Sequence, residues 1–242
     1  MKNILLFLFA CLSLGVSAQE LQRDTFKTAS GKDVVITCIK HATMQIKYDG
    51  RYFYIDPVST FKPVTDFTTM PVANYIIITH EHPDHYERTA IGQLTRPQTI
   101  TYCNPAVARL LPNVMSMENG DSVAIGSDVT LKAVPAYNTT PGREQFHPKG
   151  RDNGYVLTID GLRIYIAGDT EDIPEMAQLK NIDVAFLPCN QPYTMTVEQL
   201  VNAAKIIRPR VLFPYHYGDS MVTRIRLLLH GTDINVRIRP YK

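Results

Sequence analysis

His80-Glu81-His82-Pro83-Asp84-His85 follows directly on the apolar run Tyr75-Ile76-Ile77-Ile78. Three imidazoles and the Asp84 carboxylate thus crowd the end of an expected buried strand. Titratable groups in such a place need partners, because desolvating them unpaired is costly. A metal ion supplies one. His80 and His82 are two apart, a spacing that lets an extended or loop backbone aim both rings at one centre. Asp84 and His85 continue the turn and can face a second centre close by.

Working outward, residues 33–39, 43–48 and 51–55 are β-rich, and Asp49-Gly50 joins the last two as a two-residue hairpin. Residues 74–79 form a short apolar strand ending at the histidine run. Helical patterns cover 87–94 and 105–111, and strands cover 122–125 and 129–134. Residues 136–153 are polar and rich in Gly, Pro and Thr, long for a connection and therefore expected to be functional or mobile. The second half repeats the plan. A hairpin spans 155–167 about Asp160-Gly161, then comes Gly168-Asp169-Thr170, a helix over 175–179 and a strand over 183–187. The helix over 196–207 has apolar spacing at Val197, Leu200, Val201, Ala204 and Ile207. A strand over 211–213 runs into Pro214-Tyr215-His216, followed by a helix over 219–230 and a strand over 234–238. Two packed sheets with helices outside satisfy this order, as one domain over residues 19–242.

The composition fits that reading. Of 242 residues, 45% are hydrophobic and 20% charged, enough for a sizeable core. The formal net charge is +2 and no Lys/Arg block stands out, so a nucleic-acid partner is not expected. Residues 1–18 read as a secretory signal: a short positive start, an apolar stretch over 4–14, and Val16-Ser17-Ala18 before Gln19. Export to a bacterial periplasm or beyond follows. Lipoprotein anchoring through Leu8-Phe9-Ala10-Cys11 is the weaker alternative, since Phe9 is bulky and apolar sequence continues past Cys11. No later run reaches the ~20 apolar residues of a membrane span. Cys38, Cys103 and Cys189 remain after cleavage. This is no disulfide scaffold, although one pair is open to bridging in an oxidising compartment.

Two further residues join the histidine run. Asp169 follows a strand ending in Ala167-Gly168, and its two oxygens suit a bridge between metals. His216 also ends a strand. Imidazole and carboxylate donors favour Zn²⁺, with Mn²⁺ or Fe²⁺ as alternatives. Two divalent ions ~3.5–4 Å apart would bring a shared water near a neutral pKa, giving a hydroxide nucleophile. They would also stabilise charge developing on a substrate oxygen.

With these residues in place, the chain resembles the metallo-β-lactamase-fold hydrolases from about Thr37 to Gly218. Supporting stretches are His41-Ala42-Thr43, Tyr54-Ile55-Asp56-Pro57, Tyr165-Ile166-Ala167-Gly168-Asp169-Thr170, Asp183-Val184-Ala185-Phe186-Leu187-Pro188, Tyr193-Thr194-Met195 and Pro214-Tyr215-His216-Tyr217. The resemblance is to the branch of ascorbate-6-phosphate lactonase-like proteins rather than to the antibiotic-hydrolysing one. It implies an α/β fold, an αββα sandwich of two mixed β-sheets flanked by helices, with metals at one edge. Carried over, His80 and His82 would bind a first metal, Asp84, His85 and His216 a second, and Asp169 both.

One position departs from that pattern. Asn138 stands where a third histidine of the first metal is expected, and an amide oxygen is a poorer ligand. His147, in the long loop, is the candidate replacement, as ligand or catalytic acid. If neither binds, a single-metal enzyme on Asp84, His85, Asp169 and His216 results. Asp84 also serves as a candidate base. His41 and Asp56 are candidates to orient ligands from behind, Lys149 and Arg151 to hold an anionic substrate group, and Cys189, Tyr193 and Tyr217 to wall the cleft. The expected function is hydrolysis of an ester, lactone, amide or phosphodiester bond in a small molecule. The alternative is a metal- or ligand-binding protein whose catalysis was lost with the missing histidine.

Overall fold

The alternating apolar pattern resolves into two seven-stranded sheets in a computed structural model that describes residues 21–61 and 63–241. The expected signal segment over 1–18 lies outside the described residues. The first sheet contains β1 (Arg23–Lys27), β2 (Asp33–Lys40), β3 (Thr43–Tyr48), β4 (Arg51–Ile55), β5 (Tyr75–Ile78), β6 (Ile100–Cys103) and β7 (Met115–Ser116), paired in chain order. The second contains β8 (Ser122–Ile125), β9 (Val129–Ala136), β10 (Asp152–Ile159), β11 (Leu162–Ile166), β12 (Val184–Pro188), β13 (Val211–Tyr215) and β14 (Asn235–Val236), again in chain order. In each sheet the first four strands are antiparallel and the last pairings parallel. The repeat of plan in the sequence is therefore a repeat of topology.

Strand periodicity of two sorts side chains between layers. Phe53, Ile55 and Ile77 from the first sheet meet Leu157, Ile164, Phe186 and Phe213 from the second in the central core. Their neighbours Tyr54, Ile76 and Ile78 point outward against α1 (Arg88–Leu94) and α2 (Pro105–Ala108). Likewise Val156, Tyr165 and Leu187 face α3 (Val197–Ile207) and α4 (Thr223–Leu228). Each fully buried Ile, Leu or Phe of these layers stabilises the fold by about 1.5–3 kcal/mol relative to exposure. The αββα sandwich of two mixed sheets is thus present, with few and short helices. Among the described residues no helix is long and apolar enough to cross a membrane.

Local chemistry explains the helix that matches best. Thr196 and Gln199 form a reciprocal capping box at the start of α3, and Arg208 closes it in a left-handed conformation. The helix expected over 175–179 is instead a 3₁₀ turn, Pro174–Gln178, too short to build regular α-helical bonding. Those expected over 105–111 and 219–230 shrink to single short turns. β1 and the two-residue β7 carry too little apolar pattern to be foreseen. The long loop is shorter than its composition implied, because Asp152, Asn153 and Gly154 pair with Ala136, Pro135 and Val134. Gly154 is needed there: a Cβ would stand 2.7 Å from the Ala167 carbonyl oxygen.

Candidate metal centre

Strands β2, β4 and β5 run the same way, as do β9, β11 and β13, so their C-terminal ends share one edge of the sandwich. His41 follows β2, Asp56 follows β4, and residues 80–85 follow β5. The 137–151 loop leaves β9, Asp169 follows β11, and His216 ends β13. His41, Asp56 and His216 have φ of +44°, +43° and +46°. Such left-handed residues other than glycine cost about 1–3 kcal/mol each and are concentrated at functional sites. Gly168, at φ +65°, lets the backbone turn Asp169 inward; a Cβ would meet Asn153 O at 2.8 Å.

Two clusters of donor atoms meet at this edge. In the first, His80 Nε2 lies 3.1 Å from His82 Nδ1, which lies 3.2 Å from His147 Nε2. The His147 ring is buried, and its Nδ1 is 3.2 Å from the carbonyl oxygen of Tyr193. A carbonyl only accepts, so Nδ1 carries the proton and Nε2 presents its lone pair to the cluster. Asn138 braces this arrangement. Its backbone N–H donates to His147 O at 2.9 Å, and its side-chain Nδ2 donates to the same Tyr193 carbonyl at 2.8 Å. His147 thus brings the third imidazole, and Asn138 holds it rather than standing in for it. Glu171, which sequence reasoning missed, pins the start of the loop by accepting from Thr139 N and Thr140 N at 2.7 and 2.6 Å.

In the second cluster, Asp84 Oδ2 lies 3.1 Å from His216 Nε2, 3.3 Å from His41 Nε2 and 3.7 Å from His85 Nε2. His41 was expected behind the ligands; its ring nitrogen instead enters the donor set. Asp56 is the orienting group, accepting from His85 Nδ1 and from Thr79 N and Oγ1, all at 2.8 Å. Asp169 faces both clusters. Its Oδ2 is 3.3 Å from both His147 Nε2 and His216 Nε2, and its Oδ1 is 3.2 Å from His85 Nε2.

Electrostatics separate the two. Burial pushes His80 well below the ordinary imidazole value and lowers His82 too, while His147 falls to about 4. The first cluster is therefore neutral at pH 7. In the second, burial would lower His85, but the Asp169 and Asp84 carboxylates outweigh it and hold His85 well above the usual range. Burial would raise Asp84, yet the charge of His85 and contacts with His216 and His41 keep it ionised. The donor set fits divalent metal. With Nδ1 turned to Asp56, a His85 ring that gives up its second proton presents Nε2 beside Asp169 Oδ1, two buried acceptors that a cation would satisfy.

Other expected residues sit differently. Lys149 Nζ pairs with Glu175 Oε1 at 3.0 Å, and Arg151 grips Asp152 through Nε and Nη2 at 2.8 Å each. Both cations, expected to hold substrate, make ion pairs with carboxylates of the scaffold, and Arg151 Nη2 also lies 3.5 Å from His82 Nε2. Cys189 is fully buried, its thiol pushed up to about 11, so it neither lines an open cleft nor acts as a thiolate. Cys38 and Cys103 are also buried and free, so among the described residues no disulfide forms. Tyr193 is well exposed and packs edge-on against Phe146, with ring centroids 5.1 Å apart.

Comparison with known proteins now has a geometry to meet. The Beta-lactamase superfamily domain matches residues 35–216. The chain belongs to the beta-lactamase superfamily. Within that superfamily it groups with the UPF0173 metal-dependent hydrolases. It is 33% identical over 191 residues to one from Ligilactobacillus salivarius, covering 76% of this chain and 84% of that one. It is 29% identical over 221 residues to one from Archaeoglobus fulgidus, covering 84% and 94%. The crystal structure of a protein designated a metal-dependent hydrolase from Parabacteroides distasonis matches with a TM-score of 0.89 and 49% identity, over 92% of this chain and all of the other. None of these three relatives is described as a lactonase. The superfamily motif explains why residues 80–85 could be read from sequence, and the relatives agree with a metal-dependent hydrolase.

Proposed function

We propose that this beta-lactamase superfamily hydrolase uses two divalent ions, Zn²⁺ by donor chemistry, to cleave an ester, lactone, amide or phosphodiester in a small molecule. His80, His82 and His147 hold the first ion, and Asp84, His85, His216 and His41 the second. The observation that carries this is Asp169, whose carboxylate stands within 3.3 Å of donors from both clusters. When bound, the ions would supply an acidified water and Lewis acidity toward the scissile group. The chain's own groups do the rest. Asp84, its side chain 24% exposed, accepts a proton from the nucleophilic water; Asp56 holds the His85 ring in one tautomer and orientation. His147 is positioned to stabilise the leaving side only through the first cluster, since both its nitrogens are already committed.

The alternative of a binding protein with lost catalysis rested on Asn138. With His147 in the donor set, that motivation is gone. The lactonase-like stretches of the sequence are the reason to include lactones among the substrates tested. The sequence of residues 1–18 supports export of a single domain, residues 19–242, to a bacterial periplasm or beyond. Elemental analysis of zinc-loaded mature protein, with turnover of an ester, lactone, amide and phosphodiester panel, tests the proposal. Two equivalents of metal and turnover lost in His82→Ala and Asp84→Ala support it. Unchanged metal content in both variants contradicts it.

A further inference from the structure

We infer that the mouth of this centre selects an uncharged substrate bearing an apolar group, held between Phe61 on one side and the Tyr193–Phe146 pair on the other. The inference rests on the hydrolase reading above and names its substrate class. Three observations carry it.

First, the exposed aromatic residues sit at the two clusters. The Phe61 ring, 42% exposed, stacks on the His41 ring with centroids 5.0 Å apart and planes 28° apart. Tyr193, 45% exposed, packs on Phe146 while its carbonyl takes His147 Nδ1. The Phe61 ring thus lies on the second half, and the Tyr193 backbone ties the Tyr193–Phe146 pair to the first.

Second, Phe61 is held there at a cost. The buried Lys40 ammonium, next to His41, donates to the carbonyls of Ser59 at 2.8 Å, Phe61 at 2.6 Å and Pro63 at 2.9 Å. Glu87 fixes the same turn by accepting from Ser59 N and Oγ at 2.5 Å each and from Thr60 N at 3.1 Å. Burying an ammonium is expensive unless it is fully hydrogen-bonded. Here that expense fixes the backbone of a turn whose central side chain remains exposed, which makes sense when that side chain has a ligand to meet.

Third, the cations of the 137–151 loop are matched to carboxylates. Arg143 faces Glu171 at 3.9 Å, Lys149 binds Glu175, and Arg151 binds Asp152 with Glu81 3.5 Å away. Among the described residues, this loop offers no unpaired cation to a remote anionic group on the substrate. The anionic substrate expected from Lys149 and Arg151 gives way to a neutral one.

The test uses zinc-loaded mature protein and a matched pair of esters, 4-nitrophenyl butyrate and 4-nitrophenyl hemisuccinate. They share the scissile bond and differ in a terminal carboxylate. The butyrate is expected to lead by about tenfold in kcat/KM. Phe61→Ala and Tyr193→Ala should each raise its KM about fivefold to tenfold, the size of a lost aromatic contact, with kcat and zinc content held. Phe61→Leu should restore most of the loss. Calorimetry with the non-hydrolysable ethers 4-nitrophenyl butyl ether and 4-(4-nitrophenoxy)butanoate reads the same preference without turnover. An ether preference with no turnover of any member of the ester, lactone, amide and phosphodiester panel supports the cleft and overturns the hydrolase reading. Equal or better use of the hemisuccinate, unchanged KM in both alanine variants, or no ether preference overturns the inference.

Discussion

The two halves of the metal centre share Asp169 but are built by different means. The His41–Asp84–His85–His216 half rests on strand ends and short turns, and carboxylates set its charge. The His80–His82–His147 half is all imidazole apart from the shared Asp169, and one of its members arrives on a fifteen-residue connection between β9 and β10. A sheet edge positions the one; braces at Asn138, Tyr193 and Glu171 position the other. Burial tunes the first half toward neutrality, whereas paired charge tunes the second. The lesson is that a missing motif histidine need not mean a missing ligand, if a loop can supply the ring and the vacated position can hold the loop.

The largest effect should come from breaking what the halves share. Asp169→Ala is expected to lower metal content in both and to cut turnover by about 10³-fold or more, the several kcal/mol expected of metal-centred stabilisation. Elemental analysis beside kinetics checks it. Retention of two metals would mean that the carboxylate does not bridge.

Asn138→Ala sharpens the contrast, because it removes a brace and no imidazole. Metal affinity of the first half should fall about 10- to 100-fold, as for other groups that orient ligands from behind, while the second half keeps its metal. Competition with a chromophoric chelator measures this. Asn138→His is informative in the opposite sense: with His147 already in place, it should disturb the loop rather than improve the site.

The smallest effect separates the halves by protons. In metal-free protein the first-half imidazoles sit below their ordinary values, so at pH 7 and above they bind metal without displacing a proton. His85 is held well above its ordinary value and carries a proton that metal must displace. Affinity of the second half should therefore fall about tenfold per pH unit below neutrality, with one proton released per metal. Calorimetry in buffers of different ionisation enthalpy, on native protein and on His147→Ala, reads that number. The variant should keep the proton release, because it retains the second half.

Much of this was visible in the sequence, for reasons that can be stated. The strand alternation at 33–55 and 155–166 reports directly which side chains face the core. The residues 80–85, Asp169 and His216 stand at strand ends, where local pattern and position coincide. His147 was a candidate, but only the fold shows its ring reaching His82, across 65 positions of sequence. The partner of Lys149 was invisible, since Glu175 is no nearer by pattern than any other carboxylate; Asp152 is adjacent to Arg151, but only the fold shows the guanidinium turned onto it. The 3₁₀ turn at Pro174–Gln178 escaped because a five-residue helical pattern cannot distinguish it from α-helix. Lys40 and Glu87 escaped because their role is to hold carbonyls and N–H groups of a turn that has no pattern of its own.

Anomalous X-ray diffraction at the zinc edge, on crystals of the zinc-loaded protein, tests the central claim most directly. The account predicts two peaks about 3.5–4 Å apart, with Asp169 between them, His147 Nε2 on one and His41 Nε2 on the other. A single peak, or two with His147 turned away and Asn138 or solvent in its place, would contradict it.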